Sequence, residues 1–243
     1  MNKTELLTIF EDWMKLMNQG ELSNNGLAEG VVLFYEREAV KLGAAEFLKT
    51  YQTLIETKGE MSEREILKQV KINQTPDLIF EIGRFQFSNG ETYATLTGWR
   101  YFETTWCREI EVISACTVKD MPIDFLTELD TARETWANIA SEKGAAELIR
   151  TLYTEDCHYF NRGTLYSGRE NLQKVYSYMD DERYSVSLSA IYSFPVNETR
   201  IFELGTWMTN GLGDQYLAIW EKCDDQCDAV ESPKWQMRLD SNW

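Results

Sequence analysis

Few side chains in this 243-residue sequence have the type and spacing that chemistry needs. His158 is the only histidine, and so the only side chain whose ordinary pKa lies near neutrality. Strand alternation along Cys157-His158-Tyr159-Phe160-Asn161 puts His158 and Phe160 on the face opposite Tyr159 and Asn161. If Asn161 faces an interior pocket, His158 faces away from it, and it reads as either a structural or a catalytic histidine. Asp156 is expected to cap the turn into this strand. Cys223 and Cys227 have the spacing of a metal-ligand pair, but no second pair follows, and Asp224, Asp225 and Asp228 suggest a hairpin loop. No metal site is expected. A glycine-rich phosphate loop, a serine nucleophile elbow and a triad are all missing from the pattern. What remains is aromatic. Trp136, Tyr159, Tyr176 and Trp207 at inward positions either fill a core or, around an open cavity, favour a flat or apolar small molecule.

The elements that position these residues follow from an internal repeat, which has to be sought first because it decides the whole fold. Ile79-Phe80-Glu81-Ile82-Gly83 returns as Ile201-Phe202-Glu203-Leu204-Gly205. The flanks agree. Ser88-Asn89-Gly90 and Thr209-Asn210-Gly211 are hairpin signals at matching places, because Asn-Gly tolerates the positive φ that tight hairpins require. Leu42-Gly43 with Phe47 and Tyr51 matches Ser167-Gly168 with Leu172 and Tyr176. Each half reads as helices first, such as Thr4 to Asn18 and Phe125 to Ser141 with apolar residues at i, i+3, i+4, and then a meander of antiparallel strands. The predicted class is α+β, with helices on one face of a curled sheet in each of two domains, 1–119 and 123–243. Lys119 to Pro122 is the expected joint.

Composition sets bounds. The hydrophobic content of 43% and charged content of 26% are ordinary globular usage. The formal net charge of −16 argues against nucleic acid and anionic membranes as partners, because phosphate binding needs a basic face. Five scattered cysteines are no disulfide framework, and no apolar run approaches the ~18 residues of a membrane span. The expectation is a cytoplasmic protein.

Glu147-Leu148-Ile149-Arg150-Thr151-Leu152-Tyr153-Thr154-Glu155-Asp156, followed by a strand and by Gly168-Arg169-Glu170-Asn171-Leu172 with Tyr176, resembles SnoaL-like proteins of the nuclear transport factor 2-like superfamily. Tyr216 to Lys222 and Trp235 to Asn242 look like the closing strands of that fold. The resemblance covers about 110 residues of the second half. In the first half it rests on the repeat, with Ser23-Asn24-Asn25-Gly26 in place of the second helix. It implies two cones of helices against bent sheets, paired within one chain as a pseudo-dimer, with a homo-oligomer as a further possibility. The superfamily holds isomerases, dehydratases and non-catalytic binders, so the fold does not choose a function.

Carried over residue by residue from ketosteroid isomerase, the general base's place falls at Asn161 in the second half and at Glu36 in the first. The oxyanion acid's place falls near Ala218 and Thr97, and the tyrosine's near Trp136. Glu36 follows Phe34-Tyr35 and reads either as a base in an apolar pocket or as part of a solvated turn, Glu36-Arg37-Glu38. The expected ligand-facing set is Tyr35, Thr97, Trp136, Tyr153, Tyr159, Asn161, Tyr176 and Ala218. The leading functional expectation is a cofactor-free binder of a small, mostly apolar molecule. The alternatives are a cofactor-independent lyase or isomerase using Glu36, and a non-catalytic interaction or scaffold module.

Overall fold

The computed structural model describes residues 3–118, 122–223 and 234–242. Cys227, the acidic run around it and most of the expected joint lie outside the described residues. The chain divides into two compact units, Met1–Thr117 and Val118–Trp243.

In the first unit, α1 (Lys3–Asn18) is followed by β1 (Leu27–Tyr35), β2 (Lys41–Leu42), α2 (Ala44–Lys58), β3 (Met61–Lys71), β4 (Leu78–Phe87), β5 (Thr92–Phe102) and β6 (Thr105–Ala115). Leu6, Phe10, Trp13, Met14 and Met17 form the buried stripe of α1, which with Phe47, Leu48, Tyr51 and Leu54 of α2 packs on one sheet face. The second unit holds α3 (Ile123–Glu142), α4 (Gly144–Leu152), β7 (Tyr153–Asn161), β8 (Thr164–Ser167), α5 (Arg169–Val175), a 3₁₀ turn (Tyr176–Asp180), β9 (Val186–Asn197), β10 (Arg200–Thr209), β11 (Leu212–Lys222) and β12 (Trp235–Asn242). The helix α4 has no counterpart in the first unit, as the Ser23–Gly26 loop predicts. In α3 the stripe is Leu129, Ala132, Trp136 and Ile139, with Arg133 also turned inward.

The two six-stranded sheets have the same order, β2-β1-β6-β5-β4-β3 and β8-β7-β12-β11-β10-β9. Both units are α+β, with helices against a bent sheet, the architecture that the resemblance implied. One correction applies to each sheet. The strands are not all antiparallel, because the closing strand returns beside the first and pairs with it in parallel, β1 with β6 and β7 with β12. That return sets the last strand in the middle of the sheet.

The repeat has a backbone reason at Gly43 and Gly168. They stand immediately before α2 and α5 with φ of +83° and +79°. An L side chain is strained there, so both copies turn from edge strand to helix on glycine.

Candidate functional site

The site is built around a buried acid on β12. Across the β11–β12 pair, Trp220 faces Met237, and the register then slips so that Ile219 faces Leu239 and Ala218 faces Asp240. A bulge of this kind adds one residue to one strand and reverses the alternation beyond it. Trp235 and Met237 point into the core before the bulge, and Asp240 points in after it. Strict alternation of Trp235, Met237 and Leu239 against Gln236, Arg238 and Asp240 predicts Asp240 outward; the slipped register is what turns it inward.

Asp240 Oδ2 accepts a hydrogen bond from Tyr153 Oη at 3.1 Å and another from Tyr176 Oη. Trp136 Nε1–H donates to Tyr153 Oη at 3.2 Å and so orients it. Burial pushes the Asp240 carboxyl up to about 6, against the opposing effect of the tyrosine hydroxyls and the Ser241 amide. Burial, reinforced by the Asp240 charge, also holds both phenols well above the usual tyrosine range, so they remain donors.

A cavity of about 280 Å³ opens beside this cluster. Trp136, Tyr159, Tyr216, Met237, Asp240 and Asn242 form its inner end. One wall comes from β9 and β10, where Val186 and Leu188 pair with Thr209 and Trp207. Tyr178, Met179 and Tyr184 complete the lining, with the Tyr178 and Tyr184 rings edge to face at 5.5 Å. Trp207 Nε1 and Thr209 Oγ1 are buried in this lining without a hydrogen-bond partner.

Behind the lining, Glu203 of the repeated phrase is fully buried. It accepts from Arg133 Nη1 at 2.5 Å, Ser193 Oγ at 2.7 Å, Tyr216 Oη at 2.7 Å and Trp220 Nε1 at 3.1 Å. The neighbouring Gly205 leaves room for the Tyr216 ring, because a Cβ there would lie 2.3 Å from Tyr216 Cζ. Gly205→Ala is therefore expected to push Tyr216 off Glu203 and cost about 1–3 kcal/mol, the usual range for overpacking. A thermal unfolding midpoint equal to wild type would contradict that geometry.

Of the residues expected to face a ligand, Trp136 and Tyr159 line the cavity, whereas Tyr153 and Tyr176 hydrogen-bond Asp240 and Ala218 pairs with it across the strands, outside the lining. Asn161 Nδ2 donates to Tyr159 Oη at 2.8 Å and to the Asn242 carbonyl at 3.0 Å, and Tyr159 donates to Asn242 Oδ1 at 2.7 Å. Asn161 thus holds the lining from behind. His158 lies on the other sheet face, as alternation predicts, with Nδ1 2.9 Å from Ser167 Oγ. Burial and the Arg238 charge lower its pKa to about 4. Asp156 does not cap a turn; it ion-pairs with Arg238 at 3.1 Å.

The first unit is different. Glu36 stands in the turn after β1 and accepts from Ser114 Oγ at 2.7 Å and the Ala115 amide at 2.6 Å, so both carboxylate oxygens hold the end of β6. Tyr35 packs against the first core, its phenol raised by burial and by Tyr93. Thr97 Oγ1 reaches Glu111 Oε2 at 3.4 Å. Glu111 is a buried acid that sequence reasoning passed over, as it did Glu81, Glu203 and Asp240. One signal was available: in both halves an acid sits inside the same apolar strands, Glu81 with Glu203 and Glu111 with Asp240.

No family model matches the sequence, and no curated protein matches it. Solved structures similar to about half of the chain include a domain of unknown function with a cystatin-like fold from Nostoc punctiforme, with 14% identity over 54% of this chain and 87% of that one and a TM-score of 0.39. A putative scytalone dehydratase from Novosphingobium aromaticivorans has 16% identity over 49% of this chain and 83% of its own, with a TM-score of 0.39. A ketosteroid isomerase-like protein from Erwinia carotovora atroseptica has 16% identity over 49% of this chain and 100% of its own, with a TM-score of 0.38.

Proposed function

We propose that the second unit binds a small, mostly apolar molecule in the cavity beside Asp240. The observation that carries this reading is a cavity of about 280 Å³ walled by aromatic and apolar side chains, with the buried carboxyl of Asp240 on its lining. At about 280 Å³ the space suits a one- or two-ring molecule rather than a large one.

The test is a thermal-shift series with one- and two-ring aromatic compounds on wild type and on Leu188→Trp, which fills the β9–β10 wall. Ligands at about 100 times Kd should stabilise wild type by about 2.7 kcal/mol and leave the variant unmoved. Equal shifts in both proteins would mean that binding occurs elsewhere, and no shift in wild type would remove the reading.

A second reading, proton-transfer catalysis without a cofactor, is favoured by one observation. Asp240 titrates near 6 beside two phenols and lines the cavity, as a general acid–base must. Glu36, the base expected in the first unit, has its carboxylate committed to Ser114 and Ala115.

A further inference from the structure

The first unit contains, at the equivalent place, a group that the second unit lacks. The two closing strands correspond residue by residue. In β6, Arg108 faces Trp99 and Glu111 faces Thr97, with a register slip between them; in β12, Met237 faces Trp220 and Asp240 faces Ala218, with the same slip. The acids are served alike, because Tyr51 donates to Glu111 Oε1 at 2.5 Å as Tyr176 donates to Asp240. Trp13 of α1 and Trp136 of α3 occupy the same stripe position over these residues.

In the first unit this place holds a cation. The Arg108 guanidinium is 3.3 Å from Glu111 Oε2, and its Cζ lies 4.0 Å from the Trp13 ring centre, 4.9 Å from Phe47 and 5.0 Å from Phe10. In the second unit Met237 is neutral, and the cavity touches Met237, Asp240 and Trp136, the counterparts of Arg108, Glu111 and Trp13. Aromatic faces attract cations, and the attraction grows in a desolvated cage. A buried carboxylate is costly without an opposite charge, and the chain's net charge of −16 raises the local concentration of cations.

We infer that the second unit's cavity takes an organic cation, an ammonium or guanidinium group on a small apolar body, seated on Asp240 at the place that Arg108 fills in the first unit. This rests on the reading of the cavity as a binding site and names the chemistry of its guest.

The experiment is calorimetric titration of the full chain at pH 7.5 with phenethylamine and with its neutral counterpart 2-phenylethanol. The amine should bind at least tenfold more tightly, and Asp240→Asn should remove that preference. Met237→Arg, which supplies the guanidinium from the chain itself, should abolish amine binding and leave the thermal midpoint equal to wild type or higher. If the alcohol binds as well as the amine, the cation inference falls and the apolar-ligand reading stands. If neither binds, both fall. A Met237→Arg variant that unfolds well below wild type would also overturn the inference, because the place would then reject a guanidinium.

Discussion

Replacing Arg133 by alanine is expected to lower the unfolding free energy by about 3–5 kcal/mol, the range for removing one partner of a buried ion pair. Glu203 has no exposed surface, and Arg133 is the cation that the structure sets against it. The three remaining donors, Ser193, Tyr216 and Trp220, are neutral, and hydrogen bonds alone do not replace the lost charge. The pair itself need not be strongly favourable. Arg133→Met combined with Glu203→Gln should therefore recover most of the loss, since the cost lies in the orphaned carboxylate. Urea unfolding followed by tryptophan fluorescence measures both variants. A loss below about 1 kcal/mol for Arg133→Ala would show that water reaches Glu203.

Asp240→Asn should change how stability depends on pH. The Asp240 carboxyl is raised from an ordinary 3.8 to about 6 in the folded chain. The folded state therefore holds this proton more tightly than the unfolded state does. For a raised acid the stabilisation is complete below about pH 4 and is lost as pH rises through about 6. At 1.36 kcal/mol per unit the difference comes to about 3 kcal/mol. Asparagine keeps an acceptor for Tyr153 and Tyr176 and has no proton to lose. Relative to the variant, wild type should thus be about 2.5 kcal/mol more stable at pH 4, where the unfolded carboxyl is still partly ionised, than at pH 7.5, as measured by paired urea titrations. A difference that stays flat across that range would mean that Asp240 ionises as it would in water. The same ionisation would make the carboxylate available to a bound cation above pH 6.

Much of the architecture can be read from the chain because local chemistry repeats. Gly43 and Gly168 recur where the backbone needs positive φ, Asn-Gly recurs at the hairpins, and Trp13 and Trp136 recur on helical stripes. Such signals depend on a residue and its near neighbours, so one sequence carries them. Period 2 also put His158 on the face away from Tyr159 and Asn161.

The parallel return of β6 and β12 is another matter, since it joins strands some 80 residues apart that leave no local mark. The site shows the same limit. Alternation turned Asp240 outward because a bulge depends on the pairing with β11 and not on β12 alone. Glu81 and Glu203 were visible as markers of the repeat, but only folding brought Arg64 and Arg133 to them. The sequence by itself determined two helix-and-sheet units and, on β7, the opposite faces of His158 and of Tyr159 with Asn161. Only the tertiary structure decided that the acid on the last strand is Asp240's kind of group, buried and shifted, because desolvation is set by everything packed around a side chain. It also decided that Arg108 is buried against Trp13 and Glu111 in one copy, while in the other Met237, at the matching place, lines a cavity with Asp240.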